Sequence, residues 1–203
     1  MKAGAVALPA LFLAGCAALL PVVDDPTRFY VLEVPDYAPA TEVALEDEVV
    51  VGIARVRMPR YLEESGIAVR EDGTRIVYSQ RDRWAEPLEH GLTRLITETL
   101  LAEPVVSRVF SLPAQRRPIP DYDLHVSVSR AEGVFSPQLG PHAMFRANWE
   151  LRAGVEAEVV AAGQVRADAL PWNGQDFEAL AGSLSVGVAE LTRDVAEAIA
   201  GLR

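Results

Sequence analysis

The sequence predicts an α+β fold, a single two-layer domain in which a mostly antiparallel β-sheet is packed by two amphipathic helices, at about 86–102 and 177–202. Three patterns predict it. Phe177, Leu180, Leu184, Val188, Leu191, Val195, Ile199 and Leu202 step by three or four, with Glu190, Arg193, Asp194 and Glu197 on the wet side. Leu88, Leu92, Leu95, Ile96 and Thr99 repeat at the same spacing over a shorter span. From Tyr122, and again from Ala147, the period drops to two, the signature of half-buried strands.

Along the chain, Arg28-Phe29-Tyr30-Val31-Leu32 reads as a first strand, rich in aromatic and β-branched residues. Residues 35–47 form a loop, and Val49 to Val56 an apolar strand buried on both faces. Pro59 to Gly66 is a turn with one helical turn in it. The runs 67–70 and 75–78 flank Glu71-Asp72-Gly73-Thr74, a hairpin signal because Asp-Gly accepts left-handed backbone. Pro87 falls at the first helical position, with Glu86 and Glu89 at the positive helix end, and Pro104 ends that helix. A short strand follows at 105–110, then a loop at 116–120.

Tyr122, Leu124, Val126 and Val128 then face one way, and Asp123, His125, Ser127 and Ser129 the other. The alternation from Ala147 to Val159 predicts one long strand that turns near Ala162-Gly163 and returns through Val165, Ala167 and Ala169. A turn at Gly154 is the alternative.

The N-terminus carries its own signal. Lys2 supplies a positive n-region, Ala3 to Leu13 an apolar run, and Leu13-Ala14-Gly15-Cys16 closes it with the only cysteine of 203 residues. That layout is a secretory signal, and its ending resembles the lipobox of bacterial lipoproteins. The resemblance implies removal of residues 1–15, diacylglycerol on the Cys16 sulfur, and a fatty acid such as palmitate on its new amine. Ala17, rather than aspartate, resembles the outer-membrane-directed kind. Two competing readings are a transmembrane anchor and a buried structural cysteine. Pro9, Gly15 and Pro21 interrupt the uncharged run, which argues against a span. Residues 16–27 read as a lipidated tether of roughly 40 Å at full stretch, and 28–203 as the domain.

The formal charge of −10 excludes nucleic acid as a partner and electrostatic binding to anionic lipid. Lys2 is the only lysine, so the processed chain is one unit more negative. No cysteine remains for a disulfide or a thiolate metal site.

Tyr30-Val31-Leu32, then residues Val51 to Leu62 (Val-Gly-Ile-Ala-Arg-Val-Arg-Met-Pro-Arg-Tyr-Leu), then Asp82-Arg83-Trp84-Ala85-Glu86-Pro87-Leu88 resemble the PqiC-type ABC transport auxiliary lipoproteins. The Leu124-His125-Val126 strand, the Trp149 strand and the Phe177 helix fall in that family's order. The resemblance implies a periplasm-facing, outer-membrane lipoprotein beside an inner-membrane permease and a mammalian-cell-entry (MCE) domain protein, in lipid transport and envelope integrity. It implies no catalytic residue and no cofactor. Tyr61 and Trp84 are candidate partner contacts, with core packing as the competing role. A tubular, symmetric partner would favour a homo-oligomeric ring of this subunit.

Enzymatic chemistry finds little footing. His90, His125 and His142 lack metal-ligand spacing, and His125 falls on the polar face of its strand. No nucleophile elbow, phosphate loop or dinucleotide fingerprint occurs. The runner-up readings are an outer-membrane assembly or structural factor, and a hydrolase with an unrecognised site.

Overall fold

A computed structural model describes residues 26–36, 38–40, 49–112, 119–153 and 157–202. The signal peptide, Cys16, nearly all of the tether, most of the 35–47 loop, residues 116–118 and Gly154 lie outside the described residues.

Eight strands and two helices follow in order: β1 (Arg28–Tyr30), β2 (Val50–Ile53), β3 (Gly66–Glu71), β4 (Arg75–Trp84), α1 (Leu88–Leu101), β5 (Arg108–Ser111), β6 (Tyr122–Ser136), β7 (Gly140–Ala153), β8 (Glu158–Pro171) and α2 (Phe177–Gly201). A 3-10 turn at Arg60–Leu62 follows Pro59. The strands form one sheet in the order β1-β4-β3-β6-β2-β5, with β7 on the other side of β6 and β8 beyond it. This is the expected α+β architecture. Its long ladders, β6 with β7 and β7 with β8, are antiparallel. The short pairings of β1 with β4 and of β2 with β5 and β6 are parallel, as is that of β3 with β6. Parallel pairing of such short segments leaves no sequence period of its own.

β6 organises the sheet. Its first residues pair with β2, its last with β3, and its whole length with β7. Its apolar residues are even-numbered as far as Val128. The register then slips by one between Val128 and Arg130. The slip is a bulge; beyond it Ala131 stays inside while Arg130 and Glu132 turn to the outer face. The helix layer covers the inner face, and α2 buries Leu180, Leu184, Val188, Leu191, Val195 and Ile199 completely or nearly so. Asp176 caps α2, its carboxylate accepting from the N–H groups of Glu178 at 3.0 Å and Ala179 at 3.1 Å.

The Asp72-Gly73 hairpin forms as expected, both residues at positive φ. Pro87 is the residue before α1 rather than its first turn. Trp84 ends β4, so the Trp-Ala-x-Pro-Leu run joins a strand to a helix.

The long strand from 147 to 159 is a correction. The chain reverses between Ala153 and Glu158, and Ala162-Gly163 lies inside β8, with Gly163 opposite Trp149. The cause is steric. A Cβ on residue 163 would lie 2.5 Å from the Trp149 ring, so glycine there admits an indole and marks no turn. Val159, expected inside, is 49% exposed.

Candidate functional site

Three places carry side chains with a use beyond the core. The first is where the tether enters. β1 is an edge strand held by one carboxylate. Asp82, buried on β4, accepts from Arg28 at 2.7 Å, from the Tyr30 hydroxyl at 3.1 Å and from Ser79 Oγ at 2.7 Å. The Ala85 N–H closes the junction on the Tyr30 carbonyl at 2.8 Å. The two distant segments Tyr30-Val31-Leu32 and Asp82-Arg83-Trp84 are therefore one structural unit. Beside it lies a groove of about 490 Å³ between β1 with the residues after it and the first half of α2. Phe29, Val31 and Val34 line it at 63%, 38% and 43% exposure.

The second place is the outer face of β3 and β6. Glu132, wholly buried, receives Arg70 at 2.6 Å and Arg130 at 2.7 Å. Tyr61, presented by the 3-10 turn, lies under the Arg70 guanidinium, 5.6 Å from ring centroid to Cζ. Its hydroxyl donates to the Ser129 carbonyl at 3.3 Å, and its own carbonyl accepts from the Tyr78 hydroxyl at 3.0 Å. Burial, followed by the Glu132 carboxylate, pushes the Tyr61 phenol up to about 12. It is a fixed, neutral donor at any physiological pH.

The third is the rest of the outer face. Arg130, Arg146 and Arg166 stand directly opposite one another across β6, β7 and β8. Like charges so placed repel. Arg146 is compensated by Asp168 at 2.5 Å, and that guanidinium holds the Asp168 carboxyl below the usual range. Further along, Arg55, Arg57, His125, Asn148, Glu150 and Arg152 surround a concavity of about 120 Å³. Burial and the Arg152 charge push the His125 imidazole down, favouring its neutral form.

Trp84 is 7% exposed and packs in the core, while Tyr61 is partly buried, packed against the core from the outer face. The structure brings neither of them to the other's surface contact. Cys16 lies outside the described residues. His90 is on α1, His125 on the outer face of β6, and His142, buried on β7, pairs with the Gly140 carbonyl at 3.0 Å. Among the described residues no group of three or more His, Cys, Asp or Glu side chains is placed to hold a metal, and no histidine bonds a hydroxyl or carboxylate. No helix among them is long and apolar enough to cross a membrane.

The outer-face cluster around Glu132 is absent from the sequence reading. One signal marks it: apolar positions switch from even (Val126, Val128) to odd (Ala131, Gly133), which is how a bulge shows in a sequence.

The chain belongs to the family of ABC-type transport auxiliary lipoprotein components, whose model matches residues 30–196. Among solved structures, protein XCC0632 from Xanthomonas campestris, of family DUF330, is 19% identical with a TM-score of 0.71, the alignment covering 84% of this chain and 93% of that one. An uncharacterized protein is 17% identical with a TM-score of 0.61, over 84% and 97% of the two chains. At these identities the likeness shows the fold. No curated protein matches the chain.

Proposed function

We propose that this protein is a lipid-anchored, non-catalytic accessory subunit of an ABC/MCE-type lipid transport system that maintains the bacterial outer membrane. Cys16 carries the lipid once residues 1–15 are removed, and residues 16–27 tether the domain of residues 28–203 to the outer membrane, facing the periplasm. The observation that carries this reading is the family match, which begins at Tyr30, just past the tether, and runs through nearly the whole of α2. The lipobox-like Leu13-Ala14-Gly15-Cys16 supports it independently. So does the apolar groove at Phe29, Val31 and Val34, which faces solvent a dozen or so residues after the anchor.

The partners are an MCE-domain protein and the inner-membrane permease of the same system. A tether of roughly 40 Å cannot cross the periplasm, so the MCE protein extends to this subunit. Tyr61 and the outer face of β6 and β7 are the contact, with Trp84 supporting the β4–α1 junction from below. A tubular partner favours a closed ring of this subunit. Co-purification of the acylated full chain from membranes, read by mass spectrometry, tests the assignment. Recovery of an MCE-domain protein or permease is the expected result. Recovery of neither, with envelope permeability unchanged on deletion, overturns it in favour of an assembly factor.

A further inference from the structure

The concavity at the β2 end of the outer face gathers three arginines and three neutral polar side chains around one carboxylate, Glu150. Arg57 is fixed beside β6 by two backbone hydrogen bonds, its N–H to the Val126 carbonyl at 2.9 Å and the Val128 N–H to its own carbonyl at 2.8 Å. That places its side chain on the face that carries Ser127. Asn148 stands opposite Ser127 on β7, and Glu150 opposite His125. Arg152 spends its guanidinium on Glu150, at 2.6 and 3.2 Å, and Arg55 spends its own on Glu89. Arg57, His125, Ser127 and Asn148 make no side-chain hydrogen bond or ion pair with any described residue. Glu150, the carboxylate that lines the concavity, is bonded to Arg152 and meets Arg57 only as a charge at longer range, so the concavity keeps a net positive charge beside three polar side chains suited to an external anion.

We propose that this concavity binds a phosphate-type oxyanion, with Arg57 as the charged anchor and His125, Ser127 and Asn148 as neutral donors. A tetrahedral oxyanion offers several acceptors at once, so it uses the Arg57 fork and the donors on two strands together. A lone carboxylate would leave half of them idle. The volume, about 120 Å³, suits one small group. Its two sources are free phosphate and the phosphodiester of a phospholipid headgroup. The site lies on the face that the transport reading gives to the partner, yet the two fail separately: anion binding is read on the isolated chain, and partner recovery is read from membranes.

The test is NMR of the labelled full chain in non-ionic detergent, reading the three histidines, with inorganic phosphate and glycerophosphoglycerol as separate probes against chloride of equal ionic strength. The charged groups facing His125 are Arg57 from the segment after β2, Asp123 from its own strand, and Glu150 and Arg152 from β7. An anion added among them raises the imidazole pKa, by about one unit. The expected result is a saturable response at His125 and none at His90, weakened about tenfold or more by Arg57→Gln and less by Asn148→Ala, with thermal stability unchanged in both. Tighter binding of glycerophosphoglycerol assigns the lipid headgroup, and tighter binding of phosphate assigns the free ion. No response, an equal response in Arg57→Gln, or a stronger response to oligoglutamate than to either probe overturns the proposal.

Discussion

The two faces of β6 and β7 are made of alternate residues of the same strands, yet they are held by different physics. The inner face is apolar and sealed by α2; Phe145 and Leu151 are buried, and Gly187 lets the helix approach until a Cβ there would lie 2.6 Å from the Phe145 Cβ. Among the described residues, no α-helix packs over the outer face. Four of its arginines are held in place by carboxylates, Glu132 under Arg70 and Arg130, Asp168 beside Arg146, and Glu150 beside Arg152. An apolar face is stabilised by area and tolerates changes of partner. An ionic face depends on particular pairs, and removing one member leaves the other unpaired. A charge on the inner face should therefore unfold the domain, whereas most changes on the outer face should alter binding.

The largest expected effect breaks the inner face. Leu184→Asp or Leu191→Asp places an unpaired carboxylate in a site with essentially no solvent exposure, at a cost of about 4 kcal/mol or more. Denaturant melts of both variants check this, and unchanged midpoints would refute the packing of α2. Next comes the exception on the outer face. Glu132→Gln leaves Arg70 and Arg130 without their shared charge, and a loss of about 3 kcal/mol follows from breaking a buried pair. A loss below about 1 kcal/mol would show that Glu132 behaves as a surface group.

Glycines sharpen the contrast on a smaller scale. Gly163→Val pushes into the Trp149 ring and should cost about 2 kcal/mol. Gly182→Ala, on the open side of α2, meets nothing within 4 Å and should gain about 0.5 kcal/mol or more through helix propensity. Equal effects would mean that β8 is not seated against Trp149 as described.

The smallest effect is a pH response of opposite sign in the two layers. On the outer sheet face, the depressed His125 pKa contributes stability that is fully present above the unfolded value, about 6.5, and is lost as pH falls through the folded one. On α2, burial raises the Glu190 and Asp194 carboxyls, so their ionised forms oppose folding, and that opposition fades as pH falls through the raised values. His125→Gln should remove the first loss alone. A pH–stability curve that His125→Gln leaves unchanged would contradict the placement of this imidazole.

How far the sequence exposes these features depends on whether each leaves a period. α2 was readable from Phe177 to Leu202 because its large buried side chains, Leu180, Leu184, Val188, Leu191, Val195 and Ile199, fall on one 3.6-residue stripe. The Asp72-Gly73 turn was readable because its positive φ angles require those residue types. The β7–β8 hairpin was not, since apolar and polar residues keep alternating from 147 through 159 across the reversal, and Gly163 has the look of a turn while serving as a slot for Trp149. The Glu132 cluster was hidden by the bulge after Val128, which moves Arg130 and Glu132 off the face their numbering assigns. Arg57, His125 and Asn148 lie on three separate segments, and only the register joins them. Tyr61 and Trp84 stood out equally in the sequence, and burial separates them: one is partly buried under Arg70, the other is core.

The proposed docking of this domain onto a transporter at the membrane runs through its outer sheet face. Position-specific photocrosslinking in living cells tests it most directly, with the photoreactive residue at Tyr61 and, for comparison, at Val186 on the exposed side of α2. The expected result is a crosslink from position 61 to an MCE-domain protein or permease, lost in Cys16→Ala, and a weaker one or none from position 186. Crosslinks from position 61 only to unrelated envelope proteins, or an unaltered pattern without Cys16, would contradict it.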